Sequence, residues 1–237
     1  MTDTLPTPSP PPPAHARMAF VLLATLSLLA YIAISADVLW HGQLDKLDPH
    51  IALHIYAKMT DAPAFISVCS DVSNLGGLTF SIAAGAMVAI LLLALGRWRN
   101  AVMWVVGLYG SAWLNELMKS RFALPRTVLF SQFRLDDGYT YPSGHIMAAV
   151  MTFGLIAYLL TYEAPKWKWL STICAALIIL VVGTSLLLIG VHYLTDILGG
   201  LTLGCGWLFL VIAVLGSKKR PPRVSQGFPV ESAGGGI

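Results

Sequence analysis

The chain has 237 residues, of which 56% are hydrophobic and only 11% charged, with a mean hydropathy of +0.71, a composition that excludes an ordinary soluble domain and reads as an integral membrane protein. Fifteen Lys and Arg against twelve Asp and Glu leave a formal net charge of +3, and the basic residues flank apolar runs without forming a basic face with interleaved aromatics, which excludes a nucleic-acid partner. The three cysteines, Cys69, Cys174 and Cys205, lie far apart and say nothing firm about redox compartment.

Residues 1–17 are rich in Pro, Thr and Ser and read as a disordered arm. Met18 to Ala36 is uncharged for nineteen residues, close to the roughly 20 that span a bilayer. Ala33-Ile34-Ser35 could pass for a signal-peptidase site, but the apolar run is long for a signal peptide, so an anchored first span is the better reading. Asp48-Pro49 resembles an N-cap followed by proline at the first helical position and predicts a short helix from there. Its Ile51, Ile55 and Met59 form a narrow apolar stripe beside a row of His50, His54 and Lys58, as suits a helix lying on the membrane surface. The i, i+4 spacing of His50 and His54 can bind zinc, yet no third ligand beyond His41 is evident, and a solvated polar face is favoured.

Val72 to Gly96 supplies the second expected span, opened by the turn-like Asn74-Leu75-Gly76-Gly77 and closed by Arg97 and Arg99. The third, near Asn100 to Met118, ends on Asn115 and Glu116 with Lys119 just beyond, where the carboxylate can steady the ammonium unless the lysine merely snorkels. A polar connection over residues 120–141 holds Arg121, Arg126, Arg134, Asp136 and Asp137 and runs into Tyr141-Pro142-Ser143-Gly144-His145. The fourth span is Ile146 to Tyr162, the fifth Trp169 to Val191, and the sixth Ile197 to Gly216, with His192-Tyr193-Leu194-Thr195-Asp196 between the last two. Residues 217–237 read as a basic, Gly-rich unstructured tail, leaving 18–216 as one membrane domain.

The fold class expected is therefore all-α, a polytopic membrane protein of six transmembrane helices. Six spans put nine Lys and Arg on the side of the termini and six on the other, so the positive-inside bias makes both termini cytoplasmic. Lys119, the arginine loop, the turn at Pro142 and the turn at His192 then share the external face. A helix opened by serine and glycine offers unpaired N–H groups and the positive end of its dipole to an anion. Lys119 and Arg126 can neutralise an oxyanion. His145 and His192 remain for proton transfer and nucleophilic attack, and Asp196 can reach His192 and fix its tautomer. Each piece alone has a plainer explanation: a turn with a helix cap, an interfacial histidine, an aspartate capping the last helix. Together, on one face, they are far more specific.

This set resembles the type-2 phosphatidic acid phosphatase family of membrane lipid phosphatases, related to the soluble vanadium haloperoxidases. The family's first motif is a lysine, six residues and Arg-Pro; Lys119 and Arg126 match, with Thr127 in place of the proline. The second is complete at Pro142 to His145, and the third, Ser-Arg, five residues, His, three residues, Asp, is met by Ser185, His192 and Asp196 with Leu186 in place of the arginine. The resemblance implies hydrolysis of a membrane lipid phosphate through a phosphohistidine intermediate. His192 would be the nucleophile, Asp196 its orienting partner and His145 the general acid, with Lys119, Arg126, Ser143 and Gly144 as phosphate ligands. No metal and no cofactor are implied, and the partners are the lipid substrate and the bilayer. A bacterial inner membrane with the site facing outward is the location expected. The rivals are phosphoryl transfer to a lipid alcohol and a non-catalytic lipid-phosphate binder or transport component spoiled by Leu186; a haloperoxidase is disfavoured because six spans leave little reason for a diffusible halide.

Overall fold

The structure, a computed structural model, describes residues 14–59, 62–125 and 138–216, which are helical with short connections. The helices are α1 (Ala14–Leu39), α2 (Gln43–Met59), α3 (Pro63–Ser73), α4 (Leu78–Ala94), α5 (Trp98–Phe122), α6 (Gly144–Glu163), α7 (Lys168–Leu188) and α8 (Leu194–Leu215), with 3-10 turns at Asn74–Gly76 and Pro165–Trp167. Residues 1–13, 126–137 and 217–237 lie outside the described residues, and with them the arm up to Ala14, the tail, and Arg126, Thr127 and Arg134. The helix at the start opens at Ala14, four residues before the expected first span.

Among the described residues four helices, α1, α6, α7 and α8 (the α7 segment counted from Pro165), are long and apolar enough to cross a membrane. The pair Pro63–Gly76 and Leu78–Ala94, bent by 42°, makes a fifth if taken as one broken span. The break falls where Gly77 is extended (φ −70°, ψ 157°), at the turn expected to open the second span; α4 starts just after it at Leu78, and α3 before it is an element not expected from the sequence. α5, which covers the expected third span, is long enough but does not pass the same test of composition. The exterior is apolar, as lipid solvation requires: Leu22, Leu26 and Leu29 on α1, Val105, Tyr109 and Trp113 on α5, and Leu177 and Leu180 on α7 are all exposed.

α6 lies at the centre of the bundle, and its Ile146, Met147, Ala149, Val150, Met151 and Leu155 are buried almost completely. α8 packs along both α6 and α1. Small residues permit this, because the drive for helix association in lipid is close packing. A Cβ on Gly200 would stand 2.6 Å from the Ser143 carbonyl oxygen, and one on Gly204 3.3 Å from Met147 Cα. At the opposite end Arg17 donates from Nε to the Ala213 carbonyl (3.1 Å), a cation at the C-terminal turn of α8.

α2 begins at Gln43, five residues before the expected start, and Pro49 lies inside it. The cap comes from farther back: Asp37 Oδ2 accepts the Asp45 N–H (2.9 Å), satisfying a first-turn donor. Ile51, Ile55 and Met59 are partly buried while His50, His54 and Lys58 are exposed, so the two stripes expected of this helix are seen.

Candidate active site

α7 ends at Leu188 and the chain turns through Gly190, at φ 68°, before His192. That turn aims His192 at the first turn of α8. His192 Nδ1 stands 3.1 Å from Asp196 Oδ2, and the two residues are 5% and 2% exposed. With the proton on Nδ1 shared with the carboxylate, Nε2 keeps its lone pair for attack. Asp196 also accepts the Tyr193 N–H (2.9 Å) at the start of α8 and the Thr140 hydroxyl (2.5 Å). The plainer reading of Asp196 as a helix cap is thus also true: one oxygen serves cap and histidine together. The Thr140 oxygen lies 3.2 Å from His192 Nδ1, closing a small buried network.

The second histidine is placed by the turn at Pro142. The Tyr141–Pro142 peptide is cis, and Ser143 (φ −67°, ψ 116°) is the residue before the first turn of α6. Its N–H bonds the Asp196 carbonyl (3.0 Å), which joins the starts of α6 and α8 directly. Asn115, buried on α5, donates from Nδ2 to the Pro142 carbonyl (3.0 Å), and Tyr141 meets Ser35 of α1 through its hydroxyl (2.8 Å). Three helices therefore clamp this turn. It sets the His145 ring 6.3 Å from that of His192, centroid to centroid.

Lys119 closes the polar end. Its Nζ is 3.6 Å from Glu116 Oε1 and would be 3.8 Å from a Cβ placed on Gly144. Glu116 is mostly exposed, so this ion pair steadies the lysine little. Lys119, Asn115, Gly144, His145 and His192 line the head of a cavity of about 570 Å³ whose remaining walls are mainly apolar residues of α4 and α5, including Leu78, Ile82 and Leu108. Such a space holds a charged group at one end and hydrocarbon beyond it. Ser143 is enclosed just behind this head, 0% exposed, and its hydroxyl has no hydrogen-bond partner. Among the described residues no three His, Cys, Asp or Glu side chains group as metal ligands.

The structure thus brings together His145, His192, Asp196, Lys119, Ser143 and Gly144, while Arg126 lies outside the described residues. The nearest described point is Pro125, paired with Tyr139 across an isolated bridge. Leu186 is not on the cavity wall: it is 1% exposed inside the apolar core with Val182, Ile189 and Val191. Three residues that hold the site escape a reading by motif. Thr140 and Asn115 are polar residues at buried positions next to motifs, a usable signal. Asp48 gives none, since Asp-Pro reads as a helix cap. It is instead a mid-helix carboxylate, 3% exposed, that accepts the Thr195 hydroxyl and N–H (3.3 Å) one residue before Asp196. Burial pushes the Asp48 carboxyl up to about 6, against the lowering effect of the Thr195 bonds.

Fold and site together define an all-helical integral membrane protein with a paired-histidine centre at the head of a lipid-sized cavity. Residues 104–220 match the sequence model of the PAP2 superfamily, and the chain belongs to the type-2 phosphatidic acid phosphatase family. It is 28% identical over 191 residues to phosphatidylglycerophosphatase B of Bacillus subtilis (strain 168), a match over 78% of this chain and 92% of the relative. Over 76 residues it is 37% identical to an undecaprenyl-diphosphatase of Sulfolobus acidocaldarius, covering 32% of this chain and 34% of that protein. A crystal structure of a transmembrane PAP2-type phosphatidylglycerolphosphate phosphatase from Bacillus subtilis superposes with a TM-score of 0.71 at 24% identity, over 80% of this chain and 94% of that one. The relatives named are phosphatases of lipid phosphates.

Proposed function

We propose that the protein hydrolyses a membrane lipid phosphate, monoester or diphosphate, at the external face of the membrane through a phosphohistidine on His192. His192 Nε2 attacks phosphorus while the bond to the leaving oxygen breaks, and His145 gives that oxygen its proton. Water then attacks the phosphohistidine, losing a proton to His145, and the N–P bond breaks to release inorganic phosphate. Lys119, Arg126 and the N–H groups opening α6 hold the phosphoryl oxygens, with the Ser143 hydroxyl enclosed just behind them, and in this reading no metal takes part. The observation that carries the proposal is the buried His192–Asp196 pair at the head of a cavity also lined by His145 and Lys119.

In the same reading the chain crosses the membrane six times with both termini cytoplasmic, in a bacterial inner membrane. Two observations support the count. α5 carries an exposed apolar stripe, Val105, Tyr109 and Trp113, although it also bears charge near its ends. Arg17 at the start of α1 touches Ala213 near the end of α8, so those two ends share a side.

The test is release of inorganic phosphate from a panel of lipid phosphates in detergent micelles by wild type and His192→Ala. Release by wild type alone, with an acid-labile phosphoenzyme trapped when the label is on the transferred phosphate, is the expected result. Equal release from both proteins would sink the proposal. Transfer of the label to an added lipid alcohol in place of water would move the reading to phosphotransfer.

A further inference from the structure

Asn115 stands on α5 at the head of the cavity and is 4% exposed. Its side-chain nitrogen is committed to the turn at Pro142: Nδ2 donates to the Pro142 carbonyl (3.0 Å) and lies 3.3 Å from Met147 Sδ. Both of those atoms can only accept, so the amide fits one way round, with nitrogen toward the turn and Oδ1 away from it. Oδ1 is aimed at the first turn of α6, where a Cβ on Gly144 would stand 2.9 Å from it and 3.8 Å from Lys119 Nζ. The side chain that Gly144 lacks thus leaves one space bordered by the Asn115 oxygen and the Lys119 ammonium together.

Among the described residues Oδ1 has no hydrogen-bond partner, yet it differs in kind from the Ser143 hydroxyl. Ser143 Oγ is one of five unpartnered side-chain atoms closed off from any space, whereas Asn115 Oδ1 is not of their number and is open to the cavity that its residue lines. A carbonyl oxygen is an odd wall for an anion. The Lys119 ammonium and the N–H groups opening α6 donate to a bound oxyanion, but Oδ1 only accepts, and a bare oxyanion oxygen facing it is repelled. The contact turns favourable when the facing oxygen carries a hydrogen. A phosphomonoester keeps such a hydrogen in its monoanion, since its second proton leaves near a pH of about 6. A phosphodiester or a sulfate ester of the same charge has none.

We propose that Asn115 Oδ1 accepts the P–OH hydrogen of a phosphomonoester monoanion seated on Lys119, and so makes the cavity head select terminal phosphates over the phosphodiester headgroups of the surrounding bilayer. The inference rests on the reading of this head as a phosphate site. The other charged and titratable groups described there are Glu116 on α5, His145 on α6 and His192 in the turn before α8, with Asp196 behind His192; the α4 wall carries none. Glu116 can also accept, but its side chain is 74% exposed and open to solvent.

The experiment compares hexylphosphonate with hexylsulfonate, ligands of one shape that hydrolysis does not consume. In mildly acidic buffer each carries a single negative charge and only the phosphonate has an O–H. Displacement of radiolabelled hexylphosphonate from purified wild-type protein in micelles gives both affinities. Both ligands meet the same histidines and carboxylates, so their ratio cancels the titration of the protein itself. One hydrogen bond corresponds to about fivefold in affinity. The phosphonate is therefore expected to bind more tightly by about fivefold or more in mildly acidic buffer. That preference should shrink in alkaline buffer, where the phosphonate loses the proton, although charge alone predicts the opposite. Asn115→Leu should erase the preference, and Asn115→Asp, which keeps an oxygen in place while losing the donor to Pro142, should retain it. A clamp with no contact to the ligand predicts instead that both substitutions weaken the two ligands alike. Equal binding of the two ligands, a preference that grows in alkaline buffer, one that survives Asn115→Leu or falls only with Glu116→Ala, or no binding of either ligand overturns the proposal. Asn115→Asp and the pH dependence in wild type decide the matter should Asn115→Leu fail to fold. Absence of phosphate release from wild type with the phosphonate preference intact would remove the hydrolytic reading and leave the Asn115 contact standing.

Discussion

Thr140→Val removes one hydroxyl from the centre of the site and nearly nothing else, since valine has the same shape. The hydroxyl donates to Asp196 Oδ2 at 2.5 Å, and the position is 4% exposed, so no water takes its place. A hydrogen bond to a charged group contributes about 1.5–3 kcal/mol, and its loss inside a closed network falls toward the upper part of that range. Asp196 keeps the Tyr193 N–H and the His192 ring as donors, so the carboxylate is weakened in its hold on the ring and not left bare. At 1.36 kcal/mol per tenfold, kcat should fall about ten- to a hundredfold. KM should change little, because Thr140 is not on the cavity wall. Phosphate release in micelles against substrate concentration separates the two parameters, and Thr140→Ser should restore most of kcat. A folded Thr140→Val protein with wild-type kcat, or a Thr140→Ser protein as slow as the valine variant, would refute the role given to this hydroxyl.

Three further outcomes follow from the packing and charge around the site. Gly200→Ala puts a methyl group 2.6 Å from the Ser143 carbonyl oxygen, which is backbone and cannot swing aside. The variant should lose about 1–3 kcal/mol of stability and a large part of kcat, read by thermal unfolding and phosphate release. Because the Asp48 pKa is raised from 3.8 to about 6, the folded state binds the extra proton between those values. Its contribution is therefore fully present below 3.8 and lost as pH rises through about 6. Asp48→Asn should flatten the fall in Tm across that window and raise Tm above it. Leu186→Arg places an unpaired guanidinium in the apolar core and should lower the folded yield without raising kcat; a rise in kcat would show that an arginine at this position reaches the phosphate.

Most residues of the candidate site that the structure brings together could be picked out in the sequence because they are concentrated in short segments. His145 and the residues before it, and His192 with Asp196 one turn later, are local patterns, and local patterns survive without knowledge of the fold. What could not be read is the support. Thr140 reaches Asp196 across 56 residues and Asp48 reaches Thr195 across 147, separations at which spacing carries no information. Asp48 was also masked by its neighbour, since proline after aspartate normally opens a helix, whereas here the Asp37 side chain opens α2 a turn earlier. The turn that opens the second span at Asn74 to Gly77 was legible, whereas α3 before it was not, because its short apolar run falls well below the length of a span. Leu186 was legible as a departure from a motif but not as a core residue, because burial of a single leucine depends on neighbours from other helices.

The contact of α1 with α8 sets an order of events during synthesis. α1 is made first and the helix against which it packs is made last, so Ala24, Tyr31 and Ser35 must wait in lipid, or against transient neighbours, until about 160 further residues have emerged. The last helix is then the one that closes the bundle, and it also delivers Asp196. Chains interrupted before α8 carry His145 and Lys119 but no carboxylate to orient the second histidine, so the paired-histidine centre is incomplete until the fold is closed.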